Sequence, residues 1–389
     1  MIVEIFIAIF LLLVIFYLGY FLLMLKMSCR RNTITGYNGN LNLLVSVIVP
    51  AYNEEKNIVR KIENLLQQGY PFMEVIVVND GSTDKTANLV QSFIEKNSLQ
   101  HKIKFLSLSK REGKPLAINY GFRYCKGEII IISDADTILG ENALQRIVQH
   151  FQDGKVGGVT GKLSMINYGE SFSTDLEENY RNIFDILRLG ESCMDSTPIF
   201  NGALIALRRQ LFSPLRSDTI ADDTEIALRV REKGYKAIFD YATTVYTFTP
   251  KHFISRIKQK VRRAEGIIQS FIRHKDILFR SVYGKYGLII FPCEFFMFLV
   301  SPFLFLLIIF LFPFVLQSRS LSTTQILFVF GTGLVILGLT LFIQKYLLKC
   351  SLNNLIKIIA TFLEHQIFLI FALFSLLFRK GNVKWERTN

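Results

Sequence analysis

The sequence predicts an α/β protein: a domain built on a mostly parallel sheet, flanked at both ends by helices able to cross a membrane. Three observations predict it. Between Val45 and about Thr249, short β-branched runs alternate with helical stretches at the spacing of βαβ units. Ile5 to Leu25 is an uncharged apolar stretch of 21 residues. Between Tyr286 and Leu348 the only acidic or basic residues are Glu294, Arg319 and Lys345. At 389 residues the chain exceeds what one domain of about 150 residues needs. A hydrophobic content of 50%, 35 Phe and a net charge of +13 suit a membrane protein whose soluble part lies near anionic lipid or handles anionic ligands.

The first element is expected to be an N-terminal anchor over residues 1–26. Its apolar run is long enough to cross a hydrocarbon core of ~30 Å as a helix. It lacks the basic start, short apolar core and small-residue cleavage site of a signal peptide. Lys26, Arg30 and Arg31 follow it, which places the next segment in the cytoplasm by the positive-inside rule. Five cysteines (Cys29, Cys125, Cys193, Cys293 and Cys350) are scattered without paired spacing, so neither a disulfide framework nor a zinc site is indicated.

The soluble domain is expected over 45–250. Strands are predicted at 45–49, 74–78, 103–106 and 128–132, and helices near 54–68, 84–96, 114–126 and 141–152. In such sheets ligands bind beyond the carboxyl ends of the strands. Those ends carry "PAYNEE" (50–55), "NDGSTD" (79–84), "SKREGK" (109–114) and "SDAD" (133–136). Any one of them alone reads as a turn or a helix cap. Four on one side of a sheet describe a polar rim.

The fourth is the most informative. If the strand stays extended, Asp134 and Asp136 point the same way. Two adjacent carboxylates repel unless a cation joins them, and hard oxygen ligands suit Mg²⁺ or Mn²⁺ bridging to phosphates. Lys110, Arg111 and Lys114 on the neighbouring loop are placed to face the same diphosphate.

With these motifs in order, residues 45–265 resemble the catalytic domain of the family-2 inverting glycosyltransferases with a GT-A fold. The resemblance is strongest to the membrane-embedded branch of cellulose, hyaluronan and poly-N-acetylglucosamine synthases. It implies that Pro50, Ala51, Tyr52, Glu54 and Asp80 hold the nucleotide, with Asp80 reading the base and favouring UDP. Lys114 would contact the diphosphate. Asp134 would lie near the ribose and diphosphate and beside the metal, with Asp136 as the metal ligand. "FNGALIALRR" (200–209) resembles the glycine-containing strand lining the sugar and acceptor pocket, around Asn201, Gly202 and Ala203. In "IADDTEIALRVREKGY" (220–235), Asp222 stands where Glu is common and Asp223 falls on the catalytic base. Independently of the family, a sugar hydroxyl attacking an anomeric carbon needs a carboxylate to take its proton, and a departing diphosphate needs positive charge. Acids also gather in the first turn of ordinary helices.

One departure from the family matters. The synthases carry Gln-x-x-Arg-Trp on a helix at the membrane surface. Here "RIKQKVRRAEGIIQ" (256–269) keeps Gln259 and Arg262, but Arg263 replaces the Trp. Arginine can hydrogen-bond a sugar or phosphate but lacks an aromatic face. Transfer of one or a few sugars to a lipid-linked acceptor is therefore favoured over processive polymerisation.

Residues 251–284 alternate basic and apolar side chains, as an amphipathic helix on an anionic bilayer does. Residues 285–381 form the C-terminal membrane region, with spans expected at 287–316 (interrupted by Pro292, Pro302 and Pro313), at 324–344 and at 355–378. Three crossings would leave the basic tail outside, against the positive-inside rule. Either the third stretch is re-entrant or interfacial, or 287–316 is not a simple span. Glu364 and His365 are pore or acceptor contacts if they lie within the bilayer, and ordinary polar residues if interfacial. The tail "VKWER" resembles the family's C-terminal end.

The expected protein is thus a multi-pass cell-membrane glycosyltransferase with a cytoplasmic active site. Its expected partners are a nucleotide-sugar donor, a lipid-linked or glycan acceptor, membrane lipids and Mg²⁺ or Mn²⁺, with no nucleic acid. Two alternatives stay open: a polyprenyl-phosphate monosaccharide synthase, whose ionised acceptor needs no base, and a non-catalytic membrane sensor of nucleotide sugars.

Overall fold

Strands β1 (Val45–Ala51), β2 (Met73–Asn79), β3 (Ile103–Ser107) and β4 (Ile129–Ser133) form where the β-branched runs stand. The computed structural model describes residues 2–29, 42–167, 169–170, 172–248, 253–317 and 352–378. The expected span at 324–344 and the "VKWER" tail lie outside them. Helices α2 (Ile58–Gln67), α3 (Thr86–Lys96) and α4 (Lys114–Phe122) connect the four strands. All pairings among these strands are parallel, in the spatial order β3-β2-β1-β4.

Both faces of this half-sheet are covered. Val45, Val47 and Val49 of β1 pack with Ile58, Ile62 and Leu65 of α2. Ile48, on the other face, packs with Ala117 and Ile118 of α4. The four isoleucines of β4 divide the same way, Ile129 and Ile131 against Ile130 and Ile132, and none exceeds 1% exposure. Each contributes about 1.5–3 kcal/mol relative to an exposed position. A strand buried on two sides has no use for alternation, which is why this one reads as an unbroken apolar run.

The sheet continues through β5 (Ile138–Leu139), β6 (Val156–Met165), β7 (Leu204–Arg208) and β8 (Lys236–Thr247). Its full order is β3-β2-β1-β4-β7-β6-β8-β5. Here the sheet departs from a run of parallel pairs: four of its seven pairings are parallel, as expected, while β4–β7, β7–β6 and β8–β5 are antiparallel. The reason is where the chain enters β7. Leu204 pairs with Ser133, so the chain comes in at the carboxyl end of β4 and runs backward along it. Residues 201–203, expected as part of the strand, instead form the turn before it, beside the end of β4.

A second departure is α6 (Phe172–Met194), a long helix the sequence pattern did not announce. It packs on the N-terminal helix α1 (Ile2–Cys29). A Cβ added at Gly190 of α6 would meet the Met24 carbonyl oxygen of α1 at 2.2 Å, so only glycine permits this approach. Buried polar bonds fix the same junction. The Tyr20 hydroxyl donates to Glu191 at 2.8 Å, and the Arg188 guanidinium lies 2.9 Å from Glu191 and 3.2 Å from Glu294.

Among the described residues, two helices, Ile2–Cys29 and Tyr286–Val315, are long and apolar enough to cross a membrane. The second passes through Pro292 and Pro302 and contains short π-helical turns at Tyr286–Ile290 and Phe296–Val300, which fits its expected interruption. The last described helix is Leu352–Phe378, within which Phe362–Phe378 is a shorter apolar stretch. Outward side chains on these helices are large and apolar, such as Ile15, Phe310 and Phe378. Inward ones, including Met24, Phe291, Phe298 and Leu369, share one core with Ile267, Ile268 and Phe271 of α8 (Phe253–Arg273).

Helix α8 corrects part of the amphipathic reading. Arg256 and Lys260 do not turn to lipid headgroups. Arg256 is fully buried and paired with Glu364, and Lys260 lies 2.6 Å from Glu177 of α6. Glu364 is therefore an ion-pair partner of α8. His365 packs its ring among Tyr180, Phe184 and Phe298.

Candidate functional site

The chain runs outward from β1 to β2 and β3, then returns to place β4 on the other side of β1. The carboxyl ends of β1 and β4 therefore border the crevice in which open α/β sheets bind ligands. Pro50 and Ala51 end β1, and the Ala51 carbonyl accepts the Asp80 N–H at 2.8 Å. Beyond them the Arg111 guanidinium lies over the Tyr52 ring at 4.1 Å. Glu54 is buried, its N–H donating to Thr86 Oγ1 at 2.8 Å and its carboxylate accepting from Asn57 at 2.7 Å.

Asp80 performs a task the resemblance did not imply. Its two carboxylate oxygens accept the N–H groups of Glu112 and Gly113 at 2.7 and 2.8 Å. Burial pushes its pKa up, while the two N–H bonds oppose that rise. Gly81 beside it has φ +66, and a Cβ there would stand 2.5 Å from the Lys110 carbonyl carbon. Asp80 and Gly81 thus press the "SKREGK" loop against the sheet, and that loop delivers Lys114 to the start of α4. Lys110 is exposed and pairs with Glu112.

Lys114 is the centre of the cluster. Its Nζ stands 2.8 Å from Asp134 Oδ1 and 3.1 Å from Asp222 Oδ2. Burial alone would lower its pKa, but Asp134, Asp222 and Asp223 outweigh burial and hold it well above the usual lysine range. Asp222, 7% exposed, is pushed up by burial, and further by Asp223 and Asp134, against the opposing pull of Lys114. Both aspartates open α7 (Asp222–Glu232), where the positive end of the helix favours acids. Asp223 is more accessible; one oxygen accepts the Thr224 N–H at 2.7 Å. Its other oxygen faces Gly202, where an added Cβ would be 3.4 Å from Asp223 Oδ2 and 3.6 Å from Lys114 Nζ. Arg262 of α8 lies in the field of the same acids: burial lowers its pKa while Asp222, Asp134 and Asp223 act to raise it. His274, just past α8, ties that helix to α7, standing 3.3 Å from Glu225 in its first turn and 2.7 Å from Glu232 at its last residue. Burial disfavours the charged ring, but the two carboxylates lift its pKa to about 9.

The acidic pair itself needs a correction. β4 ends at Ser133, and residues 134–136 form a turn leading to β5. Asp134 and Asp136 are therefore brought together by a tight turn, not by the two-residue repeat of an extended strand. Asp136 reaches solvent, yet protein mass around its carboxyl, and then the Asp134 charge, push its pKa up. Among the described residues, no group of three or more His, Cys, Asp or Glu side chains gathers as a complete cage. Two carboxylates open to a crevice suit Mg²⁺ or Mn²⁺, which take one or two carboxylates and complete their shell with phosphate oxygens and water.

Lys61 of α2 supports this turn from below and was missed in the sequence. It is 1% exposed and donates to Ser133 Oγ at 2.7 Å, to the Thr137 carbonyl at 3.1 Å and to Thr137 Oγ1 at 3.2 Å. Burial lowers its pKa to about 8, against the opposing charges of Asp134 and Asp136. Ser133 in turn donates to the Ala203 carbonyl at 2.9 Å, which joins the acidic turn to the 201–203 turn. The available signal was a lysine inside the apolar stripe Ile58, Ile62, Leu65. The substitution Lys61→Met is expected to cost about 1–3 kcal/mol of folding stability and to raise the donor KM, as measured by thermal unfolding and by donor titration.

On the other side of the 201–203 turn, Asn201 donates to the Gly161 carbonyl at 2.7 Å and accepts from Arg263 at 3.4 Å. The structure thus brings together Lys114, Asp134, Asp222, Asp223, Gly202 and Arg262, with Asn201, Ala203 and Arg263 adjoining. Gln259 is exposed on α8 and is not drawn into the cluster.

Residues 46–216 match the family model described as glycosyl transferase family 2. The chain is 24% identical over 226 residues to a poly-beta-1,6-N-acetyl-D-glucosamine synthase of Staphylococcus aureus (strain COL), covering 57% of this chain and 54% of that protein. The corresponding synthase of Staphylococcus epidermidis (strain ATCC 35984) is 25% identical over the same shares. The chain therefore spans about half the length of the curated relatives it matches. Among solved structures, the mannosyltransferase PcManGT from Pyrobaculum calidifontis, in complex with GDP-Man and Mn²⁺, superposes with a TM-score of 0.74 at 25% identity, covering 98% of this chain and 100% of that one.

Proposed function

We propose that this chain, whose residues 46–216 match the glycosyl transferase family 2 model, is a membrane-bound, metal-dependent, inverting glycosyltransferase. It moves a sugar from a nucleotide sugar to a hydroxyl of a lipid-linked or growing glycan. The observation that carries the proposal is the Lys114 ion-pair cluster. One ammonium joins the acidic turn to the helix bearing the Asp222–Asp223 pair, on the rim where ligands of such sheets bind.

Asp134 and Asp136 are the residues that would hold a divalent cation, Mg²⁺ or Mn²⁺; a bound cation neutralises charge developing on the donor's diphosphate. Pro50, Ala51, Tyr52, Glu54 and Asp80 surround the nucleotide. Lys114 exchanges its carboxylate partners for diphosphate oxygens, and Arg262 adds a second positive group. Asp223 takes the proton of the acceptor hydroxyl. The hydroxyl oxygen bonds to the anomeric carbon from the face opposite the leaving group. The carbon–oxygen bond to the diphosphate breaks, and the nucleoside diphosphate departs with the electron pair. Asp222, buried and paired with Lys114, positions rather than accepts.

The similar solved structure is a complex with GDP-Man and Mn²⁺, and the sequence resemblance favours UDP, so both nucleotides belong in the test. Arg263 on the acceptor side supports transfer of one or a few sugars. The apolar helices and the basic residues after Cys29 support a multi-pass protein with its catalytic domain in the cytoplasm. Membranes are incubated with labelled UDP- and GDP-sugars and Mn²⁺ or Mg²⁺, and lipid-bound product is separated from polymer. Metal-dependent formation of a glycosidic product supports the proposal. Nucleotide sugar that stays intact with every donor removes it.

A further inference from the structure

A small cavity of about 30 Å³ lies between α6 and α8, with Asn201 in its lining. Its polar lining is Tyr180, Arg181, Asp185, Arg188, Asn201 and Arg263. Asp185 is the unusual member. It is 6% exposed, and its Oδ2 has no hydrogen-bond partner among the described residues. A buried carboxylate without a partner is costly and survives where something outside the fold completes it. The charges that reach it are Lys162, Arg181, Glu178 and Arg188, none of them in an ion pair with it.

The surrounding guanidinium groups do not make this an anion site. Arg181 lies 3.0 Å from Glu177, and Arg188 is held by Glu191 and Glu294. Arg263, the third guanidinium in the lining, donates instead to Asn201 at 3.4 Å. A phosphate entering here would meet cations already committed to acids, and an unpaired carboxylate that repels it. A hydroxyl donates a hydrogen to that carboxylate and accepts from Arg263. The volume suits one water-sized group, such as a hydroxyl or the end of a hydroxymethyl, with the rest of a sugar ring outside.

From this geometry we propose that the cavity is the inner end of the acceptor groove, and that Asp185 selects an uncharged, hydroxyl-bearing saccharide over a bare phosphate. The inference rests on the glycosyltransferase reading above. It makes Asp185 a specificity-determining residue of the acceptor, lining the same cavity as Asn201 of the turn that faces the base.

The test uses the full chain in nanodiscs and the donor selected above. Dodecyl glycosides of glucose, mannose and N-acetylglucosamine are compared as acceptors with dodecyl phosphate, which has the same tail. A glycoside is expected to be the better acceptor. Asp185→Asn is expected to raise the glycoside KM at least about tenfold, as a lost hydrogen bond to a charged group does, with the donor KM held within about twofold. Its melting temperature should hold or rise, because the variant removes an unpaired buried charge. Preference for dodecyl phosphate overturns the inference, as does an unchanged glycoside KM. A fall in melting temperature with donor and acceptor KM rising together also overturns it, marking a structural role. If the wild type releases no nucleotide from any donor, the glycosyltransferase reading itself has failed. Release with an unaltered acceptor KM removes only the acceptor subsite.

Discussion

The variant Asp223→Asn is expected to lose transfer by roughly 10³-fold, the usual worth of a positioned proton acceptor, while still binding the nucleotide sugar. The two parts of the result separate because of where the residue sits. Asp223 faces Gly202, beyond Lys114, whereas the groups proposed for the donor lie at the ends of β1 and β4. Asparagine keeps the oxygen that accepts the Thr224 N–H, so the start of α7 retains its bond. Calorimetric donor titration of the variant, beside a transfer assay, checks both halves. Transfer near the wild-type rate would transfer the base role elsewhere, and would fit an acceptor that is already ionised.

Lys114→Met should lower kcat/KM by roughly 10²–10³, the range for removing one positioned group that meets developing negative charge. The loss has two sources. The leaving diphosphate loses a cation, and Asp134 and Asp222 lose the ammonium that stands 2.8 and 3.1 Å from them. Asp222, already pushed up by burial, then has its main opposing influence removed. A donor KM that rises along with the fall in kcat is expected, because Lys114 serves both binding and departure. Unchanged kinetics in this variant would separate the ion-pair cluster from the reaction.

How much of this was legible in the sequence depends on how local the cause was. The isoleucines of β4 and the acids after them were readable, because burial on two faces and its end at the rim are written within eight consecutive residues. The geometry of Asp134 and Asp136 was not, because the turn is held by Lys61, more than seventy positions earlier. The mixed sheet was hidden for a similar reason: nothing in "FNGALIALRR" says that its chain enters beside Ser133 and runs backward. Helix α6 carries Glu177, Arg188 and Glu191 on buried positions, so its apolar period is broken by ion pairs formed with distant segments. The same pairs turn Arg256 and Lys260 inward, away from the lipid surface their composition suggested. The motif residues were legible one by one; that Lys114 links Asp134 to Asp222 is a fact of tertiary structure.

The proposed reaction is a single displacement at the anomeric carbon by a hydroxyl that Asp223 deprotonates. Proton NMR of the first product formed by purified protein, Mn²⁺ and an α-linked nucleotide sugar reports the new anomeric configuration directly. The expected result is a β-linked glycoside, formed only with the divalent cation and lost in the Asp223→Asn variant. An α-linked product from the same donor would contradict inversion, and with it the assignment of Asp223 as the single base.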